Sequence, residues 1–293
     1  MRSMATTLID VAQLASHLGD RDWAIIDCRF ELADPAAGAR AWAVGHIPHA
    51  LYADLDRDLS APRTPHSGRH PLPEPATLAA TLGRLGIDSA VQVVAYDQGP
   101  GAFAARLWWL LRWLGHTRVA VLDGGYAAWL AAGLPVSSSQ ETRPARHFTA
   151  VPDGAQVVSG AQLARSLAQG ELARSAQLLV DARGTDRFAG QNETIDPVAG
   201  HIPGARNHPF AHNTDARGRF LTAQELRQRW QQTLRGVHPP QVIAMCGSGV
   251  TACHNLLAME VAGLSGARLY AGSWSEWIRD PAHAVELGPE GSR

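Results

Sequence analysis

The chain repeats itself once, and the length of that repeat limits what it can fold into. Ile25-Ile26-Asp27-Cys28-Arg29 returns as Leu179-Val180-Asp181-Ala182-Arg183, and Gly45-His46-Ile47-Pro48 returns as Gly200-His201-Ile202-Pro203. Val91 to Asp97 matches Pro240 to Cys246, and Gly124-Gly125-Tyr126-Ala127-Ala128-Trp129 matches Gly272-Ser273-Trp274-Ser275-Glu276-Trp277. The four matches keep their order at offsets of 148 to 155 residues. Stacked solenoid repeats recur every ~20–50 residues, so this period means a duplicated domain. Between the copies, Val136 to Gly154 carries Ser137, Ser138, Ser139, Pro144 and Pro152 with few apolar residues, the composition of a linker. The expected organisation is an N-terminal domain over 1–138, a linker over 139–154 and a C-terminal domain over 155–293.

Within each half, short apolar runs alternate with helical patterns. Trp23 to Ile26, Val91 to Tyr96 and Val119 to Leu122 read as buried strands, as do Gln177 to Val180, Gln241 to Met245 and Ala267 to Tyr270. Ala102 to Leu114 and Thr251 to Val261 read as helices placed directly after strands. Strand–loop–helix units imply an α/β fold: two tandem domains, each a parallel sheet with helices on both faces. Ligands in such sheets sit beyond the carboxyl ends of the strands.

The duplication also serves as a control. Asp27 and Asp181, Arg29 and Arg183, and His46 and His201 occur in both halves and read as structural. The tryptophans Trp108, Trp109, Trp113, Trp129, Trp274 and Trp277 read as core. A feature confined to one half is a candidate for chemistry, and one such feature stands out. After the matched strand the first half has Asp97-Gln98-Gly99-Pro100-Gly101, whereas the second has Cys246-Gly247-Ser248-Gly249-Val250-Thr251. Glycines after a strand end turn backbone N–H groups inward, and with the following helix dipole they favour an anion. Cys246 would hold its thiolate there, and a persulfide or the anionic end of a substrate would use the same cradle. Asp97 cannot be such a nucleophile, so the first half should be catalytically silent. The other two cysteines read as structural: Cys28 is replaced by Ala182 in the second half, and Cys253 lies inside the following helix.

Composition narrows the chemistry further. All 26 cationic side chains are arginine, which excludes lysine Schiff bases and a Walker-A loop. Three cysteines without a C-x-x-C pair form neither a disulfide framework nor a zinc ribbon, so no metal is expected. A net charge of −1 gives no reason to expect nucleic acid as a partner. No apolar run reaches the ~18 residues that span a bilayer, and Met1 to Thr7 lacks a signal core, so a cytoplasmic protein without membrane contact is expected.

The Cys246-Gly-Ser-Gly-Val-Thr251 loop, the paired Gly-His-Ile-Pro motifs and the Asp at the position of the Cys resemble the two-domain rhodanese and 3-mercaptopyruvate sulfurtransferase family, over essentially the whole chain. The loop resembles the mercaptopyruvate branch, because the thiosulfate branch carries Arg-Lys inside it. The resemblance implies double displacement without a cofactor. Cys246 takes sulfur from a small donor as a persulfide and passes it to cyanide or a thiol, with a thioredoxin-like protein as a candidate acceptor. It also implies catalytic roles for Ser248, Asp56 and His70, and substrate binding by Arg187 with the loop residues Gly247, Gly249, Val250 and Thr251. That branch usually has a second arginine about nine residues after the first, where this chain has Asp196; Arg183 and Arg206 are the candidates to compensate. Two alternatives stay within sulfur chemistry: a thiosulfate donor, and a persulfide carrier without turnover. A phosphatase of the dual-specificity type would need an arginine closing the loop, and none lies between Cys246 and Arg268.

Overall fold

A computed structural model describes residues 4–172, 174 and 176–290. The chain divides into two compact units. The first comprises Met1–Pro62, Leu72–Asp153 and Asp215–Phe220; the second comprises Arg63–Pro71, Gly154–Thr214 and Leu221–Arg293. Each unit therefore takes in one short segment from the opposite half of the chain, which the repeat did not foretell.

In the first unit, β1 (Leu8–Ile9), β2 (Trp23–Asp27), β3 (Leu51–Tyr52), β4 (Gln92–Tyr96) and β5 (Val119–Leu122) form a parallel sheet in the order β1-β5-β4-β2-β3. The central strand β4 is buried along its whole length, because helices cover the sheet. In the second unit, β6 (Leu178–Asp181), β7 (Arg206–Asn207), β8 (Val242–Met245) and β9 (Arg268–Leu269) run parallel in the order β7-β6-β8-β9. Val157 bridges Leu269 in parallel, at the place β1 takes beside β5. The sequence repeat is thus a repeat of winding. The apolar runs read from the sequence fall on β2, β4, β5, β6, β8 and β9, the last a two-residue strand inside the four-residue run 267–270. The two-residue strands β1, β3 and β7 leave no periodic signal.

The two cores are built from equivalent residues. Ile25, Ile47, Val94, Tyr126 and Trp129 pack together in one unit, as Leu179, Ile202, Ile243, Trp274 and Trp277 do in the other. Burying each such side chain stabilises the fold by about 1.5–3 kcal/mol. The helix Ala104–Trp113 is buried nearly all round, which explains why Trp108, Trp109 and Trp113 show no polar face.

The residues common to both halves form the same brace twice. Arg29 donates to Asp27 (Nη2–Oδ2 2.6 Å) and to the Gly45 carbonyl (2.7 Å), with its guanidinium over the Tyr126 ring. Arg183 donates to Asp181 (2.7 Å) and to the Gly200 carbonyl (2.8 Å), over the Trp274 ring. His46 stacks on Trp42 with Nδ1 2.7 Å from the Trp42 carbonyl; His201 stacks on Phe188 with Nδ1 2.9 Å from the Phe188 carbonyl. Each ion pair is buried and its guanidinium also reaches a carbonyl, which ties the strand end to the Gly-His-Ile-Pro loop.

Candidate functional site

The second-unit loop begins where β8 ends. Cys246 follows Met245, and the helix Thr251–Val261 starts five residues later, with Val250 as its N-cap. The loop turns back on the cysteine: Cys246 Sγ accepts the Gly249 N–H at 3.1 Å and the Ser248 N–H at 3.4 Å. Gly249 has φ +77°, and a Cβ there would stand 2.4 Å from the Ala271 carbonyl oxygen, so only glycine fits the turn. From the other side the Cys246 N–H donates to Ser273 Oγ (3.1 Å), whose hydroxyl donates to the Tyr270 carbonyl (2.9 Å). Ser273 has φ +53°, where the matching residue of the silent half is Gly125 at φ +57°. A non-glycine residue in this conformation costs about 1–2 kcal/mol, and here it positions the cysteine backbone. The repeat alignment held this signal as a Gly-to-Ser exchange beside a helix start, and the sequence reading passed over it.

The equivalent loop of the first unit holds its own anion. The Asp97 carboxylate accepts N–H bonds from Gly99 (3.0 Å), Gly101 (3.0 Å), Phe103 (2.8 Å) and Ala104 (3.2 Å). Burial nonetheless pushes the Asp97 carboxyl up, against those four donors. The cradle that faces Sγ in one half is filled by a side chain in the other.

Ser248 meets His70 in the second unit: His70 Nδ1 lies 2.8 Å from Ser248 Oγ, and both residues are buried. The segment 63–71 brings His70 there, and the Arg69 N–H donates to Ser275 Oγ (3.0 Å) to seat it. Gly68 is required in that segment, since a Cβ would come within 2.5 Å of the Gly272 carbonyl oxygen. Asp56 belongs to the first unit, where its N–H donates to Asp54 Oδ1 (3.0 Å).

Three arginines surround the loop. Arg187 Nε and Nη2 donate to Glu193 at 2.9–3.2 Å, and Nη2 reaches Asp196 Oδ2 at 3.2 Å. Arg183 stays in its brace and also approaches Glu193 at 3.5 Å. The third is Arg69, which the sequence reading missed; its Nη1 donates to Asp196 Oδ1. A Cβ on Gly247 would lie 2.7 Å from Arg69 Nη2 and 3.8 Å from Arg187 Nη2, so both guanidiniums converge beside the loop. Arg206 instead donates to the Thr233 and Leu234 carbonyls.

The remaining cysteines are buried and form no disulfide. Burial, then Asp27 and Asp97, pushes the Cys28 thiol up, which keeps it protonated. Cys253 Sγ donates to the Gly249 carbonyl at 3.2 Å. No helix of the described residues is long and apolar enough to cross a membrane, and they contain no cluster of side chains suited to a metal.

Comparison with known proteins agrees with this arrangement. The rhodanese-like domain family matches twice, over residues 10–132 and 160–280. A probable 3-mercaptopyruvate sulfurtransferase of Pseudomonas aeruginosa is 51% identical over 283 residues, covering 96% of this chain and 98% of that protein. A putative thiosulfate sulfurtransferase of Mycobacterium tuberculosis is 37% identical over 290 residues, 98% of this chain and 99% of that one. Among solved structures, the 3-mercaptopyruvate enzyme SseA of Escherichia coli superposes with a TM-score of 0.80 at 31% identity, over 93% of this chain and 100% of that one.

Proposed function

The chain belongs to the rhodanese-like family and is a sulfurtransferase, and on that premise we propose that Cys246 takes sulfur from 3-mercaptopyruvate and hands it to cyanide or a thiol. The observation that carries this reading is the uncharged loop: Sγ faces two N–H donors, and the Ser248 hydroxyl is hydrogen-bonded to His70.

The thiolate attacks the donor sulfur; the S–C bond breaks, and the electron pair leaves with carbon as the enolate of pyruvate. The sulfur stays on Cys246 as a persulfide, whose charge is stabilised by hydrogen bonds donated from the Ser248 and Gly249 N–H groups. The enolate carbon needs a proton, and the proton that the donor thiol gives up reaches it through Ser248 Oγ, hydrogen-bonded to His70 Nδ1, leaving a persulfide anion and pyruvate. An acceptor thiolate or cyanide then attacks the outer sulfur, the S–S bond breaks, and the Cys246 thiolate returns. Arg187 holds the donor carboxylate, with Gly247, Val250 and Thr251 shaping the loop around it. Asp56 enters this reading through the family resemblance; Asp56→Asn, with loss of turnover on mercaptopyruvate but normal persulfide transfer from thiosulfate, is its test. Three cysteines without a disulfide among them fit a reducing, cytoplasmic setting, and a thioredoxin-like protein fits as the thiol acceptor.

A thiosulfate donor is the second reading, favoured by Asp196 standing where the mercaptopyruvate branch has an arginine. Steady-state rates with the two donors decide: kcat/KM is expected to be higher for mercaptopyruvate, and an equal or higher value for thiosulfate overturns the donor assignment. Intact-mass spectrometry after donor treatment should show one added sulfur that Cys246→Ala abolishes; a persulfide without multiple turnover would leave a carrier.

A further inference from the structure

Asp196 is an unusual residue to find at an anion site. Its side chain is 3% exposed, and one oxygen faces Arg69 while the other faces Arg187. The two carboxylates near these arginines are held in different ways. Glu193 Oε1 accepts the Ile195 N–H (2.9 Å) and the Asp196 N–H (3.0 Å) of its own loop, besides Arg187. It is therefore built into the turn. The Asp196 carboxylate, among the described residues, is hydrogen-bonded only to the two arginines. The segment between is pinned at both ends, by Glu193 on one side and by the Trp274 indole N–H on the Val198 carbonyl (2.9 Å) on the other. Ile195 between them is exposed. Asp196 is thus the one acidic group here that a competing anion can displace without breaking the loop.

We propose that Asp196 is an internal stand-in for the donor's carboxylate, and that Arg69 and Arg187 together take that carboxylate when Asp196 gives way. The inference rests on the mercaptopyruvate reading and extends it to two residues. The chemistry is an exchange of one carboxylate for another on the same pair of guanidinium forks, a geometry that suits a planar, two-oxygen anion. Arg69 lies next to His70, which meets Ser248, so an anion on Arg69 is held one residue from the proton relay. The charge balance agrees: Arg69, Arg183 and Arg187 face Asp181, Glu193 and Asp196, so no net positive charge is offered until Asp196 moves aside.

The experiment measures KM and kcat for mercaptopyruvate, and the inhibition constant of pyruvate, in the full-length enzyme carrying Arg69→Ala, Arg69→Lys and Asp196→Asn. Loss of a charge-assisted pair predicts a rise of about tenfold or more in KM and in the pyruvate constant for Arg69→Ala, with kcat changed less than threefold. Arg69→Lys should recover part of it. Asp196→Asn removes the internal competitor, so both constants should fall several-fold. Wild-type KM in Arg69→Ala overturns the role of Arg69. A KM in Asp196→Asn raised as far as in Arg69→Ala means that Asp196 only positions the arginines, and overturns the stand-in. A fall in kcat and melting temperature without a KM change marks a structural role and overturns both. If the wild-type enzyme takes no sulfur from mercaptopyruvate in the mass assay, the underlying reading has failed instead, so the two failures are told apart.

Discussion

Gly249→Ala should disable sulfur transfer, while Gly101→Ala, at the positive-φ glycine of the silent half's loop, costs only stability. Both glycines have positive φ, +77° and +85°, so the backbone penalty of a Cβ is similar, about 1–2 kcal/mol. The surroundings differ. The Cβ of Gly101→Ala would meet Val121 Cγ1 at 3.2 Å and a Phe220 ring carbon at 3.5 Å, contacts that a side chain relieves by small shifts. The Cβ of Gly249→Ala would sit 2.4 Å from the Ala271 carbonyl oxygen, so the loop itself must move. The atom that moves with it is the Gly249 N–H, the shorter of the two donors to Cys246 Sγ. A hydrogen bond to a charged group is worth about 1.5–3 kcal/mol, or about ten- to a hundredfold in rate. The assay is kcat/KM with mercaptopyruvate and cyanide, read beside denaturant melts of both variants. Gly249→Ala should lose at least tenfold, and Gly101→Ala should stay within twofold of wild type at a comparable loss of stability. If Gly249→Ala keeps its rate, the loop N–H groups do not stabilise the sulfur anion and that part of the mechanism is wrong.

Further outcomes follow from the same geometry. Ser248→Ala and His70→Asn should each lower kcat/KM for mercaptopyruvate, and the double variant should lose little more than either, since they share one bond; additive losses in a double-mutant cycle would separate their roles. Asp97→Ala empties the silent cradle of its four-fold acceptor, and should cost about 3 kcal/mol or more in chemical denaturation while turnover of the folded enzyme is unchanged. His208 is buried against Trp230 and hydrogen-bonded to Thr233 and Asn213, and burial lowers its pKa to about 4. The unfolded chain binds that proton near pH 6.5, so stability is complete above pH 6.5 and falls as pH drops towards 4, by about 3 kcal/mol at most. Denaturation midpoints from pH 4 to 7 should show this slope, flattened in His208→Asn; an equal slope in the variant would place the titration elsewhere.

The residue order alone carried the duplication, the parallel α/β architecture, the strands long enough to show a run, and the loop where Cys246 replaces Asp97. These are local or periodic signals: an apolar run is as long as its strand, and a strand–glycine–helix junction lies within a few consecutive residues. The braces of Asp27 with Arg29 and Asp181 with Arg183 were legible for the same reason, because both partners sit two residues apart. His70 was reached only through a family resemblance, and Arg69 was not reached at all. Nothing in their neighbourhood marks them, since Gly68 to Pro71 has neither periodicity nor a repeat partner. Tertiary structure decided their place, by packing the segment 63–71 against residues about 130 to 200 positions away and setting Arg69 on Asp196 and His70 on Ser248. It also decided that Arg187 shares Asp196 with Arg69. An arginine's reach spans several residues in any direction, so the carboxylate it meets is set by how the loops close around it and not by spacing along the chain.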